Sequence, residues 1–191
     1  MLFRSQGALP LNPDGIPNMS WDLALHSTAS FLTNTNQQHY SGQAQMSYLS
    51  QMVGVTALQI ITPAMGLAAL FAILRGFRGG VALEDGSKGL GNYYSDVTKA
   101  MTRILLPLSV IYALLLTWQG VPSTFEGAQK VKLLESQTIT ATNGTKSTVT
   151  EQTIPVGPVA ALVAIKQLGT NGGGWYGPNS AVPLEDRNSV V

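Results

Sequence analysis

The uncharged run from Met52 to Leu74 constrains the fold of this chain most. It holds 23 residues without an Asp, Glu, Lys or Arg, and as an α-helix it would measure about 34 Å. The hydrocarbon core of a bilayer is about 30 Å thick, so the run predicts a membrane-spanning helix. The composition agrees, because only 11% of the residues are charged, against about 25% in a typical soluble domain.

A second apolar run, from about Ile104 to Trp118, predicts a second spanning helix of about 20 residues if Met101, Gly120 and Val121 extend it. The connection between the two runs carries five of the eleven basic residues. Positively charged loops lie on the cytoplasmic side of membranes. We therefore expect the connection to be cytoplasmic, with its basic residues at Arg75, Arg78, Lys88, Lys99 and Arg103.

Two further apolar segments are too short to cross a bilayer. The first covers about 20–32 and the second covers 158–168; as helices they would measure about 18 and 17 Å. Small polar residues follow each one, at 33–36 and at 169–174. Short helices followed by polar loops predict two re-entrant pore helices, each leading into a filter loop.

The chemistry of these loops suits a dehydrated potassium ion. Backbone carbonyls can replace its hydration shell, provided that the chain turns successive carbonyls toward one axis. Glycine reaches the necessary dihedral angles easily, and asparagine is among the non-glycine residues that best tolerate a positive φ. The candidate potassium ligands are Thr33, Asn34, Thr35, Asn36, Gly169, Thr170, Asn171, Gly172, Gly173 and Gly174.

The ends of the short helices add an electrostatic argument. A helix that enters from outside points its partly negative C-terminus at the loop, which stabilises a cation there. Lys166 opposes this effect, because its ammonium group near the filter would repel potassium. We expect Lys166 to snorkel away or to pair with a carboxylate outside this chain.

The remaining residues define the outer loop and exclude several functions. Residues 122–157 are polar and predict an extracytoplasmic loop containing a hairpin at 137–150, with its turn at Asn143 and Gly144. With no cysteine and two histidines, we do not expect a transition-metal site. A net charge of +1 gives no reason to expect a nucleic-acid partner.

The fold class that follows is an all-α integral membrane protein with two transmembrane helices, two re-entrant pore helices and a small β-hairpin. The predicted organisation is a first pore loop at 1–51, a transmembrane helix at 52–74, a cytoplasmic loop at 75–103, a second transmembrane helix at 104–121, an extracytoplasmic loop at 122–157 and a second pore loop at 158–191.

Several runs along the chain resemble a known family, the potassium-binding A subunit of the bacterial Kdp pump. They are Leu9-Pro10-Leu11-Asn12-Pro13, Thr33-Asn34-Thr35-Asn36, Tyr40-Ser41-Gly42, Met46-Ser47-Tyr48-Leu49, Leu90-Gly91-Asn92, 104–109, Glu126-Gly127-Ala128-Gln129, Gly157-Pro158-Val159-Ala160 and 164–174. The last of these runs is long and specific. The resemblance implies the fold of the superfamily of potassium transporters, in which four pore units surround one filter.

The resemblance also implies a function in the bacterial inner membrane. The subunit would select external potassium and pass it to an ATP-hydrolysing B subunit, with accessory C and F subunits as further partners. Potassium is then the transported ion, no bound cofactor is expected, and ATP hydrolysis takes place on the B subunit. On this chain the filter strands map to 33–36 and 169–174, which is two of the four strands.

Two alternatives remain open at this point. The chain could act as a small potassium channel in which two copies complete four filter strands. It could also be a truncated remnant that inserts in the membrane but binds nothing. No apolar run precedes the first pore helix or follows the second, which counts against the channel and is consistent with a truncated product, a fragment or one piece of a split subunit.

Overall fold

A computed structural model describes residues 1–82, 86–140, 146–170 and 175–177, without the side chains of 136–140 and 146–147. The described chain is mostly helical. Its helices are α1 (Leu2–Ser5), α2 (Trp21–Leu32), α3 (Gly42–Gln45), α4 (Thr56–Phe77), α5 (Tyr93–Ala100), α6 (Leu106–Trp118) and α7 (Val159–Leu168). Its strands are β1 (Val81–Ala82), β2 (Lys88–Gly89), β3 (Gln129–Thr140) and β4 (Lys146–Ile154).

Two long apolar helices dominate the described structure. A π-helical segment at Ser50–Val55 leads into α4, and together they form a 28-residue helix from Ser50 to Phe77. A second π-helical segment at Met101–Leu105 joins α5 to α6, forming a 26-residue helix from Tyr93 to Trp118. Both helices are long and apolar enough to cross a bilayer, as the sequence predicted.

The second long helix begins well before the predicted boundary at Ile104. The side chain of Asn92 accepts a hydrogen bond from the Ser95 backbone N–H at 3.0 Å, which caps the first turn of α5. Much of the predicted loop at 75–103 is therefore helical. Asp96 of α5 is buried, and its carboxylate contacts Arg75 of the other long helix.

Small residues and one ion pair join the two long helices. Ala64 and Ala68 of α4 are fully buried, as is Ala100 of α5, and their small side chains let the helices approach closely. At one end of the pair, the Arg75 guanidinium binds both carboxylate oxygens of Asp96, with Nη2 at 2.9 Å from Oδ1. The two helices thus form one antiparallel unit.

Large apolar side chains cover the outside of this unit. On α6 they include Val110, Ile111, Leu114 and Trp118, all of which are exposed. A soluble protein rarely leaves so continuous an apolar surface in contact with water. The exposed surface has the character that a lipid environment requires.

The two short helices each pack in a core of their own. Residues from the N-terminal segment surround α2, and the cluster includes Phe3, Met19, Phe31, Tyr40 and Met46. A different cluster surrounds α7 and includes Tyr48, Val121, Val159, Val163 and Trp175. The helix α4 contacts both α2 and α7, so it lies between the two short helices.

An antiparallel hairpin forms from β3 and β4, with Lys132 opposite Glu151 and Gln137 opposite Val149. The pairing confirms the predicted hairpin, although β3 begins earlier, at Gln129, because the paired region continues past an irregularity between Lys132 and Gln137. The predicted turn at Asn143 and Gly144 lies outside the described residues. A two-residue pairing of β1 with β2, which the sequence did not predict, lies between the long helices.

Candidate ion-binding loops

The first candidate loop begins where α2 ends. Asn34 and Asn36 have φ angles of 56° and 57°, which confirms the expectation that asparagine supplies the positive φ values here. The chain turns back on the helix, so that the backbone N–H groups of Thr35 and Asn36 donate to the Ser30 carbonyl at 2.9 and 3.2 Å. The turn thereby satisfies a carbonyl group that the end of the helix leaves without an intrahelical partner.

Side chains brace this turn from within. The hydroxyl oxygens of Thr33 and Thr35 lie 2.8 Å apart, and the Asn36 amide donates to the Asn34 carbonyl at 2.9 Å. The Thr33 hydroxyl also donates to the Ala29 carbonyl at 2.9 Å. The polar side chains of the first loop therefore hold its backbone.

The second candidate loop begins in the same way after α7. The Gly169 N–H donates to the Ile165 carbonyl at 2.8 Å, and the Thr170 N–H donates to the Gln167 carbonyl at 3.2 Å. Thr170 then has a φ of 58°. The sequence predicted positive φ from the glycines of this loop and not from Thr170. The predicted ligands Asn171, Gly172, Gly173 and Gly174 lie outside the described residues.

The two turns match residue by residue. In each, a helix ends on leucine, one residue follows with a negative φ, and the next is left-handed: Leu32, Thr33 and Asn34 correspond to Leu168, Gly169 and Thr170. Each turn sits at the C-terminus of a short helix, where the helix dipole contributes about half a negative charge. The arrangement favours a cation at either turn.

Both turns lie beside one face of α4, at residues that the sequence alone did not single out. The Thr62 hydroxyl donates to the Leu58 carbonyl at 2.8 Å and lies 3.2 Å from Asn34 Oδ1. One helical turn away, Gln59 and Gly169 line the same narrow crevice. Gln59 and Thr62 are buried and share a face of the helix because they are three residues apart.

A signal for this polar face was present in the sequence. Thr56, Gln59 and Thr62 recur at intervals of three residues within the otherwise apolar run. Polar side chains in a membrane helix face the interior of the protein, because lipid cannot satisfy them. All three are buried, whereas their neighbours Ile61 and Met65 are exposed.

Lys166 lies on α7, close to the second turn. Its side chain is 0% exposed, so the expectation that it snorkels to the surface is wrong. Lys166 is not without a partner, and its pairing with a carboxylate outside this chain stays a prediction. Leu162 and Val163, about one turn earlier on α7, are buried as well.

Tyr48 joins three segments around the second short helix. Its hydroxyl donates a hydrogen bond toward the carbonyls of Glu126 and Val156, at 2.7 and 2.5 Å, and lies 3.5 Å from Asp14 Oδ2. Burial raises the pKa of the Tyr48 hydroxyl to about 12, and the negative charge of Asp14 adds to the effect. Tyr48 therefore remains neutral and hydrogen-bonded at physiological pH.

The fold and the two turns define a class: a mostly helical protein with two helices suited to a bilayer and two short helices that end on cation-favouring turns. A sequence profile described as "KdpA: Potassium-transporting ATPase A subunit" matches residues 1–191. The chain belongs to this family. The resemblance found in the sequence is thereby confirmed.

Curated relatives from distant bacteria carry one name, potassium-transporting ATPase potassium-binding subunit. The relative from Clostridium perfringens is 49% identical over 181 residues, which is 95% of this chain and 30% of the relative. The relative from Gloeobacter violaceus is 48% identical over 183 residues, with 96% and 30% covered. The one from Pseudomonas aeruginosa is 45% identical over 181 residues, with 95% and 29% covered. The chain thus spans about 30% of the length of these relatives.

Proposed function

We propose that this chain binds potassium and passes it across the membrane as part of the potassium-binding subunit of an ATP-driven importer. The observation that carries the proposal is the matched pair of turns in a chain of this family. Each turn ends a short helix with a left-handed residue, Asn34 or Thr170. Both turns lie beside one polar face of α4, where Thr62 bonds to Asn34 and Gln59 lines a crevice with Gly169.

The proposed mechanism of selection uses backbone carbonyls. A potassium ion loses its hydration shell only where oxygens replace the water, and uncharged carbonyls bind the ion without trapping it. The proposed ligands are Thr33, Asn34, Thr35, Asn36, Gly169, Thr170, Asn171, Gly172, Gly173 and Gly174. The bracing of the first turn by its own side chains supports this assignment, because it holds the backbone of the turn in one conformation.

The proposed topology places α2 and α7 as re-entrant pore helices that enter from outside. The loop between the long helices would be cytoplasmic, because the basic side chains of Arg75 and Arg78 lie at the end of the first long helix and Lys99 and Arg103 lie near the start of the second. The β3–β4 hairpin would then be extracytoplasmic. The membrane would be the bacterial inner membrane.

The proposed partners follow from the family. The ATP-hydrolysing B subunit would receive the ion, and accessory C and F subunits would complete the complex. This chain would be a non-catalytic part of that complex, with potassium as its transported ion.

Potassium binding to the purified chain in detergent, measured by calorimetry, tests the proposal. We expect binding of potassium in preference to sodium, and loss of that preference in Gly172→Ala. Gly66→Ala is a matched control, because an added Cβ at Gly66 meets nothing within 4 Å. Equal binding of both ions, or binding that Gly172→Ala leaves unchanged, would contradict the proposal.

A further inference from the structure

Trp175 is the first described residue after the second candidate loop, and it is almost fully enclosed. Its side chain is 2% exposed, whereas Trp21 and Trp118 are exposed. The neighbouring Tyr176 is also buried, and its hydroxyl donates to the Pro155 carbonyl at 2.7 Å. The chain is therefore anchored directly after the loop.

The indole of Trp175 lies in a slot that only glycine can form. A Cβ added at Gly157 would come within 2.3 Å of indole Cζ2 and 2.9 Å of Cη2. On another side the Tyr48 ring packs against the indole, with 5.0 Å between ring centroids. Tyr48 is itself fixed by its hydrogen bonds to the Glu126 and Val156 carbonyls. The slot thus holds the indole rigidly.

The backbone of Trp175 touches the segment that follows the first loop. A Cβ added at Gly42 would lie 2.2 Å from the Trp175 carbonyl oxygen, a separation that no side chain could tolerate. The Gln51 side-chain amide closes the other side of Gly42, at 3.0 and 3.1 Å from the same Cβ position. The segments that follow the two loops are therefore in direct backbone contact.

From these contacts we propose that Trp175 is a positioning residue that fixes the second loop against the first. The indole slot fixes the side chain, and Gly42 fixes the carbonyl. A change in either loop is then transmitted to the other through this contact. An effect of this contact on potassium binding rests on the proposed function, whereas the contact of Trp175 with Gly42 and Gly157 does not.

The fluorescence of Trp175 tests the contact without any ion. In a chain carrying Trp21→Phe and Trp118→Phe, Trp175 is the remaining tryptophan, because the sequence holds three. We expect its emission to be blue-shifted, as for a buried indole. Gly157→Ala and Gly42→Ala should each shift the emission to the red, and Gly66→Ala should leave it unchanged. If neither glycine substitution shifts the emission, the inference is wrong, whether or not the chain binds potassium.

A rescue experiment separates the side-chain contact from the carbonyl contact. Gly157→Ala and Gly42→Ala should each weaken potassium binding by about tenfold. Trp175→Phe should restore binding in Gly157→Ala, because a phenyl ring lacks the indole atoms that the new Cβ would meet. It should not restore binding in Gly42→Ala, because the clash there is with the backbone.

The same experiment distinguishes the two ways of failing. If the native chain binds no potassium, the proposed function fails, and the emission of Trp175 alone decides the positioning role. If potassium binds but Trp175→Phe rescues both glycine variants or neither, the indole slot is not the positioning contact and the inference is wrong.

Discussion

At the scale of single residues, the left-handed turn at Thr170 carries backbone strain. Its φ of 58° is rare for a β-branched side chain, whereas the equivalent residue of the first turn is Asn34. Thr170→Asn should therefore raise the free energy of unfolding by about 1 kcal/mol, measured by thermal unfolding in detergent. Thr28→Asn is the control, because Thr28 is exposed on α2 and has no such strain to relieve. Equal effects of the two substitutions would contradict the prediction.

The raised pKa of Tyr48 predicts a dependence of stability on pH. An unfolded tyrosine has a pKa of about 10, whereas burial and then the Asp14 charge raise the Tyr48 pKa to about 12. Above the unfolded pKa, the unfolded chain loses the proton first, so the free energy of unfolding falls as the pH rises through this window.

Thermal unfolding in detergent across this alkaline range measures the effect. Tyr48→Phe should reduce the loss of stability with rising pH. It should also lower stability by about 1 to 2 kcal/mol, because the part-buried hydrogen bonds to the Glu126 and Val156 carbonyls are lost. Tyr94→Phe serves as the comparison, since Tyr94 is exposed. If stability falls equally with rising pH in the native chain and in Tyr48→Phe, the assignment of the effect to Tyr48 is wrong.

The residues also show which parts of the site the sequence could predict. Positive φ at Asn34 and Asn36 was predictable because asparagine tolerates it. The same steric rule disfavours Thr170, so only the structure could assign its left-handed turn. Gln59 and Thr62 lie in a run that the sequence analysis described only as uncharged. Their spacing of three residues nevertheless places them on one face of the helix.

At the scale of elements, the ion pair of Arg75 and Asp96 is predicted to hold the long helices together. Asp96→Asn and Arg75→Met should each lower the melting temperature in detergent, because each leaves a partly buried charge without its bidentate partner. The double variant Arg75→Met with Asp96→Leu should melt closer to the native chain than either single variant, since it leaves no uncompensated charge. Lys88→Met, which removes an exposed charge, is the control. Additive losses in the double variant would refute a pairing role.

The same ion pair explains why the second long helix begins before the predicted boundary at residue 104. The sequence analysis assigned Lys99 and Arg103 to the connecting loop from local composition. Burial of Asp96 against Arg75 depends on a residue from the other helix, which no local pattern reveals. The bounds of α2 agree with the prediction because local sequence determines them. A polar loop precedes the helix, and a left-handed turn ends it.

At the scale of the whole molecule, the described long helices expose many apolar side chains and bury several polar ones. Exposed leucine, isoleucine and tryptophan side chains cover α6, while Thr56, Gln59 and Thr62 lie inside. Apolar side chains exposed along the long helices, with polar ones buried, suit a bilayer. The basic residues concentrate near one end of the paired long helices, so the molecule also carries a signal for its orientation.

The predicted orientation can be read from two cysteine variants, because the chain has no cysteine of its own. Leu90→Cys lies in the connection between the long helices, and Thr148→Cys lies on β4; both positions are exposed. In intact bacterial cells, a membrane-impermeant maleimide should label Thr148→Cys, whereas Leu90→Cys should be labelled only after permeabilisation. The native chain should remain unlabelled throughout, and labelling of both variants from outside would show that α6 does not cross the membrane. The reverse pattern would mean that the basic loop faces out, and the two short helices would then enter from the cytoplasm, where they could not select external potassium.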